Sequence, residues 1–143
     1  MGSKLRTVSW VLLALVGVLV MLWSLESANL AYRGDFQIAG VSIGDVAAGR
    51  EPVLLGLRGA RGTAAAWAAA WATLFLIIVF GPYRRGDVTT WWGILASAIV
   101  LGAVVSARVV FTGAQTGVGA PLVLLVVVLI ALLIDVKRLT APR

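Results

Sequence analysis

The sequence predicts an all-α integral membrane protein: a bundle of four transmembrane helices, both termini inside, with an ordered first outer loop. Three observations predict it. At 61% hydrophobic and 13% charged, the 143-residue chain departs from the soluble norm of roughly half apolar and about a quarter charged. Its apolar residues gather in four blocks, 8–25, 63–80, 91–111 and 118–136, each of 18 to 21 residues. At about 1.5 Å of rise per residue they reach about 27 to 32 Å, which matches a hydrocarbon core of about 30 Å. Finally, the basic residues alternate between sides in the way that sets membrane orientation. The length suits one domain, here a single integral membrane domain over 1–143.

The first block follows "MGSKLR", a basic head that also fits a cleaved signal peptide. Against cleavage, "SLESANLAY" offers no good small-x-small site, so the block is expected to stay as a helix. "MGSKLR" also lacks the Ser or Thr that myristoylation needs at its sixth position.

The outer loop, 26–62, is long for a structureless connection, so part of it should be ordered. "FQIAGVSI" alternates apolar residues around Ala39-Gly40, which predicts a short hairpin or extended piece. In "SIGDVAAG", Ser42 and Asp45 stand three apart like a capping box, with Gly49 as a stop. "EPVLLGL" has Pro52 at a plausible first helical position and reads as a segment on or dipping into the membrane surface. "RGARG" then reads as a flexible basic turn, with Thr63 as the cap of the second helix.

The second helix contains "TAAAWAAAWATLF". At 100° per residue Trp67, Trp71, Leu74 and Ile78 share one face, and Ala65, Ala69 and Ala72 lie roughly opposite. Membrane helices associate by close backbone approach across small residues, so the alanine face is a packing face. The third helix carries Ala98, Gly102 and Ser106 at spacings of four, and the expectation is that the second and third helices form the tight centre. The fourth block, "LVLLVVVLIALLI", has almost no small residues and is expected to face lipid along much of its surface. Trp71, about 12 Å along its helix, is too deep for an interfacial belt. Three uses remain for it: packing within the bundle, contact with a neighbouring protein, or lining a pocket for a quinone, carotenoid or lipid tail.

Lys4 and Arg6 precede the first helix, Arg84 and Arg85 join the second to the third, and Lys137, Arg138 and Arg143 follow the fourth. Arg33, Arg50, Arg58 and Arg61 lie in the outer loop among Glu26, Asp35, Asp45 and Glu51. Both termini are therefore expected in the cytoplasm. The net charge of +6 serves topology and a grip on anionic lipid heads. Nucleic acid is a poor partner, because the basic residues do not gather with exposed aromatics on a soluble module.

Neither histidine nor cysteine occurs. Histidine-held haem, thiolate zinc, iron-sulfur clusters and triad hydrolysis are thereby excluded for this chain alone, and no cofactor or metal site is expected. Coupled transport needs an ionisable group deep in the membrane. Glu26, Arg108 and Asp135 all lie near block ends, which argues against a self-sufficient proton-coupled exporter. Arg108 reads either as an anion or headgroup contact or as a side chain reaching the interface. In this threading Glu26 and Arg108 share the outer face and are expected to pair.

The turn "GPYRRGDVTTWWG" resembles the arginine-glycine-acid-tryptophan turns of many small uncharacterised bacterial membrane proteins with four spans. Tyr83, Arg84, Arg85, Gly86, Asp87, Trp91 and Trp92 carry the resemblance. It implies that Arg84, Arg85, Trp91 and Trp92 anchor two helix ends at the interface. The overall plan is also similar to claudin-like proteins, but the paired cysteines of their first loop are missing here, so their function is not carried over. Ten arginines to two lysines, with many alanines, valines and glycines, fit a GC-rich bacterial source and hence a bacterial cytoplasmic membrane.

Three functional readings follow. The first is a non-catalytic accessory or structural subunit of a larger membrane assembly, contacting lipid and other membrane subunits or itself. The second is an apolar-ligand or lipid-binding bundle that assists transport. The third is a membrane enzyme using Asp35, Asp45 and Glu51 of the outer loop.

Overall fold

The computed structural model describes residues 2–113 and 117–137. The chain is all-α apart from one two-stranded hairpin. Its elements run α1 (Gly2–Arg33), β1 (Gln37–Ile38), β2 (Val41–Ser42), α2 (Ile43–Ala47), α3 (Glu51–Ile78), a π-helical turn (Val79–Tyr83), α4 (Val88–Thr112) and α5 (Gly119–Ile134). Arg138 and Arg143, the side chain of Lys4 and part of the expected turn at 113–117 lie outside the described residues.

Three segments are long and apolar enough to cross a membrane: Leu5–Arg33, Glu51–Tyr83 and Val88–Phe111. Gly119–Ile134 is apolar but only 16 residues long. At about 1.5 Å per residue it reaches about 24 Å, short of a core of about 30 Å. The four-block pattern is thus three helices of spanning length and a shorter fourth.

Two compact units are distinguished: residues 17–74, and residues 1–16 with 75–143. Both α1 and α3 contribute residues to each.

The largest departure from the sequence reading lies at 26–62. α1 continues eight residues past its apolar block to Arg33, and α3 begins at Glu51, so the connection shrinks to 34–50. An apolar block measures the part of a helix that suits lipid, not the helix itself. "ESANLAYR" contains good helix formers, Arg33 complements the negative helix end, and only at Gly34 does the helix stop, its amide bonded to the Leu30 carbonyl at 3.3 Å.

At the other side, "RGARG" is not a turn and Thr63 is not a cap, because residues 58–63 lie inside α3. Glycine costs a helix about 1 kcal/mol relative to alanine but does not forbid it. The strong breaker, proline, occurs only at Pro52 in the first turn, where the missing amide has no intrahelical acceptor. "EPVLLGL" is therefore the start of α3 rather than a separate surface segment.

Within 34–50 the local chemistry acts as expected. Ala39 (φ 51) and Gly40 (φ 85) form the hairpin turn, with positive φ at both central residues as a type I′ connection requires. Gln37 pairs with Ser42, and Ile38 with Val41. Ser42 caps α2 by accepting the Asp45 amide at 3.2 Å. Ala48 takes the left-handed position at the helix end, followed by Gly49 (φ 74). Phe36, Ile43 and Ala47 are buried beneath this small cap.

In the other unit, Pro82 lies in the π-helical turn and Gly81 leaves helical geometry (φ −91, ψ −105). The ring removes an amide and clashes with the preceding turn, which accounts for the break. Asp87 then starts α4 three residues before the apolar block by accepting the amides of Thr89 and Thr90. α5 packs along α4, where a Cβ on Gly102 would stand 3.2 Å from Leu125 Cδ2. At Gly102 this small-residue surface of the third helix receives Leu125 of the fourth. The short connection makes α4 and α5 neighbours, and leucine side chains of a helix lacking small residues need a recess to fill. Val128, Ala131 and Leu132 of α5 are buried while Val123, Val126 and Leu133 are exposed.

Candidate functional site

Two side-chain clusters stand out, one in each unit. In the unit built from 1–16 and 75–143, Ser9, Tyr83 and Trp91 are buried and mutually supported. Ser9 Oγ donates to the Ala131 carbonyl at 2.7 Å and lies 2.7 Å from Tyr83 Oη. Serine has one hydroxyl hydrogen, so Tyr83 is the donor in the second contact. Trp91 Nε1 donates to the Leu132 carbonyl at 3.1 Å. Ser9 and Trp91 thus bind one turn of α5 directly, and Tyr83 is joined to it through Ser9; that turn precedes the buried Asp135.

This geometry corrects one expected anchor. Trp91 is only 5% exposed and belongs to the packed interior, because its indole N–H finds a backbone acceptor there. Its neighbour Trp92 is exposed, meeting Trp91 edge to face with centroids 5.0 Å apart. Adjacent helical residues point about 100° apart, so they divide interior and surface between them.

The same unit carries a basic turn. Arg6 donates from its guanidinium to the Arg84 carbonyl. The Arg84 guanidinium lies 5.0 Å from the centroid of Trp10, whose other contact is Phe80, edge to face at 5.9 Å. Arg84 and Arg85 are exposed. Gly86 has φ +98, and a Cβ there would stand 2.9 Å from a terminal nitrogen of Arg6. Among the described residues Asp87 forms no ion pair with these arginines; its carboxylate accepts from the Thr90 hydroxyl and the Thr89 and Thr90 amides. Those bonds, the Thr90 hydroxyl foremost, hold its carboxyl below the ordinary value near 3.8.

In the unit of 17–74 the cluster is built on arginines of α3. Arg61 Nε donates to Ser27 Oγ at 3.1 Å, and its guanidinium lies 4.2 Å from the centroid of the buried Phe36. Arg58 reaches the Gly34 carbonyl at 3.4 Å. One turn along, a Cβ on Gly62 would sit 2.6 Å from Tyr32 Oη. These contacts pin the 34–50 cap to α3. Around them Tyr32, Ile38, Val41, Val46 and Leu55 are exposed.

The remaining expected residues distribute as follows. Ala65 and Ala72 are buried and Ala69 is half-buried, while Trp67 is 74% exposed and Trp71 half-buried. Ala98 is buried and Ser106 exposed. Ser106 lines an open apolar groove of about 250 Å³ with Val105, Val109, Val110, Val118 and Leu122. Trp71 is not among those lining residues. Glu26 and Arg108 are exposed and belong to different units. Asp35, Asp45 and Glu51 are exposed, and Asp45 spends its carboxylate on the Ser42 hydroxyl at 3.0 Å. Among the described residues no group of three or more His, Cys, Asp or Glu side chains is arranged to hold a metal ion.

Sequence reasoning missed Ser9, since a serine in apolar surroundings carries no spacing signal, and singled out Tyr83 only as part of the 81–93 turn, without its bond to Ser9. It missed the role of Arg61 because that residue was read as part of a turn. Comparison with protein-family models, curated proteins and solved structures finds no match.

Proposed function

We propose that this chain is a non-catalytic accessory subunit of a larger bacterial inner-membrane assembly, and that the cap at 34–50 with the adjoining helix ends is where its partner docks. One observation carries the reading. Ile38, Val41 and Val46 are exposed on a connection outside the segments of spanning length, where water rather than lipid is the expected surrounding. Apolar side chains held out at such a place mark an interaction surface. Arg61, Phe36 and the Ser42 cap hold that surface in one conformation, which lowers the ordering cost of binding. In this reading four helices cross the membrane, both termini are cytoplasmic and the cap faces outward.

A photo-crosslinking residue at Val41, introduced in the native membrane, tests it. The reading expects one discrete adduct with another membrane protein, absent when the probe is placed at exposed Val123 of α5. Equal diffuse labelling from both positions would refute it. A second reading, an apolar-tail-binding bundle, draws on the valine-lined groove beside Ser106; a tightly retained lipid or pigment after gentle detergent extraction, with no protein adduct, would favour it instead.

A further inference from the structure

We propose that Arg6, Arg84, Arg85 and Gly86 form a binding site for the phosphate of an anionic phospholipid. The site rests on residues other than those of the partner surface.

Its position comes first. The apolar segments Glu51–Tyr83 and Val88–Phe111 stop immediately on either side of residues 84–87. If the two cross a bilayer, this connection lies at headgroup level, and lipid phosphate is the anion present there.

Charge comes second. Three guanidinium groups gather at one turn, and among the described residues none is paired with a carboxylate. Arg6 directs one donor to the Arg84 carbonyl, Arg84 lies over Trp10, and Arg85 is exposed, with no hydrogen bond or ion pair to another of the described residues. Asp87, the acid nearest in sequence, is occupied by Thr89 and Thr90. An arginine presents five donors, so Arg6 and Arg84 retain most of theirs.

Shape comes third. Gly86 adopts φ +98, which favours glycine, and the space its missing Cβ leaves is taken by the Arg6 guanidinium. Arg6 is thereby drawn against the turn that bears Arg84 and Arg85. The stacking of Arg84 on Trp10 restrains a second guanidinium, and Arg forks match phosphate oxygens in pairs. Preorganised arginines distinguish this turn from a loose run of positive charge.

The experiment uses the full chain in nanodiscs holding phosphatidylglycerol and phosphatidylcholine of identical acyl chains, with retained lipids counted by native mass spectrometry. Wild type is expected to retain phosphatidylglycerol in preference. Arg85→Gln, which breaks no contact, should lower that preference about fivefold, and Arg6→Gln/Arg85→Gln should abolish it. Gly86→Ala, which keeps every charge but obstructs Arg6, should lower it as well, with circular dichroism showing the helices intact. Arg33→Gln, in the other unit, should leave it unchanged. Excess inorganic phosphate should fail to displace the lipid; displacement would identify free phosphate as the true ligand and overturn the lipid assignment. Absence of any preference in wild type, or its full survival in Arg6→Gln/Arg85→Gln, would overturn the site itself. A folded Gly86→Ala protein with wild-type preference would overturn the built geometry.

Discussion

Ser9 and Tyr83, 74 positions apart in the chain, share a buried hydroxyl contact of 2.7 Å, and Ser9 passes its own hydrogen to the Ala131 carbonyl. The order of donors sets unequal consequences. Tyr83→Phe removes the hydroxyl that donates to Ser9 and leaves Ser9 bonded to Ala131, whereas Ser9→Ala removes both of the serine's bonds. The expected loss of stability is about 0.5–1.5 kcal/mol per bond, so Ser9→Ala should cost more than Tyr83→Phe. Thermal unfolding in mild detergent checks this, and equal or reversed losses would contradict the donor assignment.

Gly56 and Gly59 lie inside α3, and a Cβ at either would meet nothing within 4 Å. Alanine there should stabilise the protein by about 0.5–1 kcal/mol each. Were "RGARG" a turn, Gly59→Ala would be neutral or harmful. Denaturant titration of the single variants distinguishes the two.

Arg61 joins Ser27 and Phe36 across 34 and 25 positions of sequence. Arg61→Ala should free the 34–50 cap, at a cost of about 0.5–2 kcal/mol for a half-buried cation over an aromatic face. Hydrogen exchange at the Ile43 amide, which bonds to the Phe36 carbonyl, and at the Ala48 amide should speed up while exchange in α5 stays as it was. Unchanged exchange at Ile43 would show that the hairpin stands without the arginine.

The carboxylate of Asp87 is held below its ordinary pKa, chiefly by the Thr90 hydroxyl. A folded-state value lower than the unfolded one contributes stability that is in place above the unfolded pKa and is lost as pH falls through the folded one. The first turn of α4 should therefore loosen as pH falls below the ordinary carboxylate range. Asp87→Asn, which retains a capping oxygen, should remove most of that acid dependence. Exchange of the Thr89 and Thr90 amides between pH 3 and pH 6 reports it, and a flat profile in the wild type would contradict the cap.

Much of this architecture was legible in the chain, and the rest failed for identifiable reasons. Helical character followed from apolar blocks of 18 to 21 residues, and the hairpin and its helix followed from Ala39-Gly40 and Ser42-x-x-Asp45, because turn and cap chemistry is local. Helix ends did not. Residues 26–33 and 51–62 are polar enough to look like loop, yet they continue helices that the apolar blocks had already nucleated, and propagation is cheap once a nucleus exists. The choice of neighbour for Gly102 was likewise hidden: a small-residue face announces that something approaches, not which helix does. Trp91 and Trp92 look identical in sequence, and only their 100° separation around α4 makes one interior and the other surface.

The proposed topology crosses a membrane an even number of times, with the 34–50 cap on one side and the 84–87 turn and C-terminus on the other. Because the chain has no cysteine, single-cysteine variants Val41→Cys, Arg85→Cys and Arg143→Cys can be labelled in intact bacterial cells with a membrane-impermeant maleimide. The account predicts labelling of Val41→Cys from outside, with Arg85→Cys and Arg143→Cys reacting only after permeabilisation. If Arg143→Cys reacts together with Val41→Cys, α5 does not cross and the four-span account is wrong; if all three react in intact cells, the chain does not span the membrane at all.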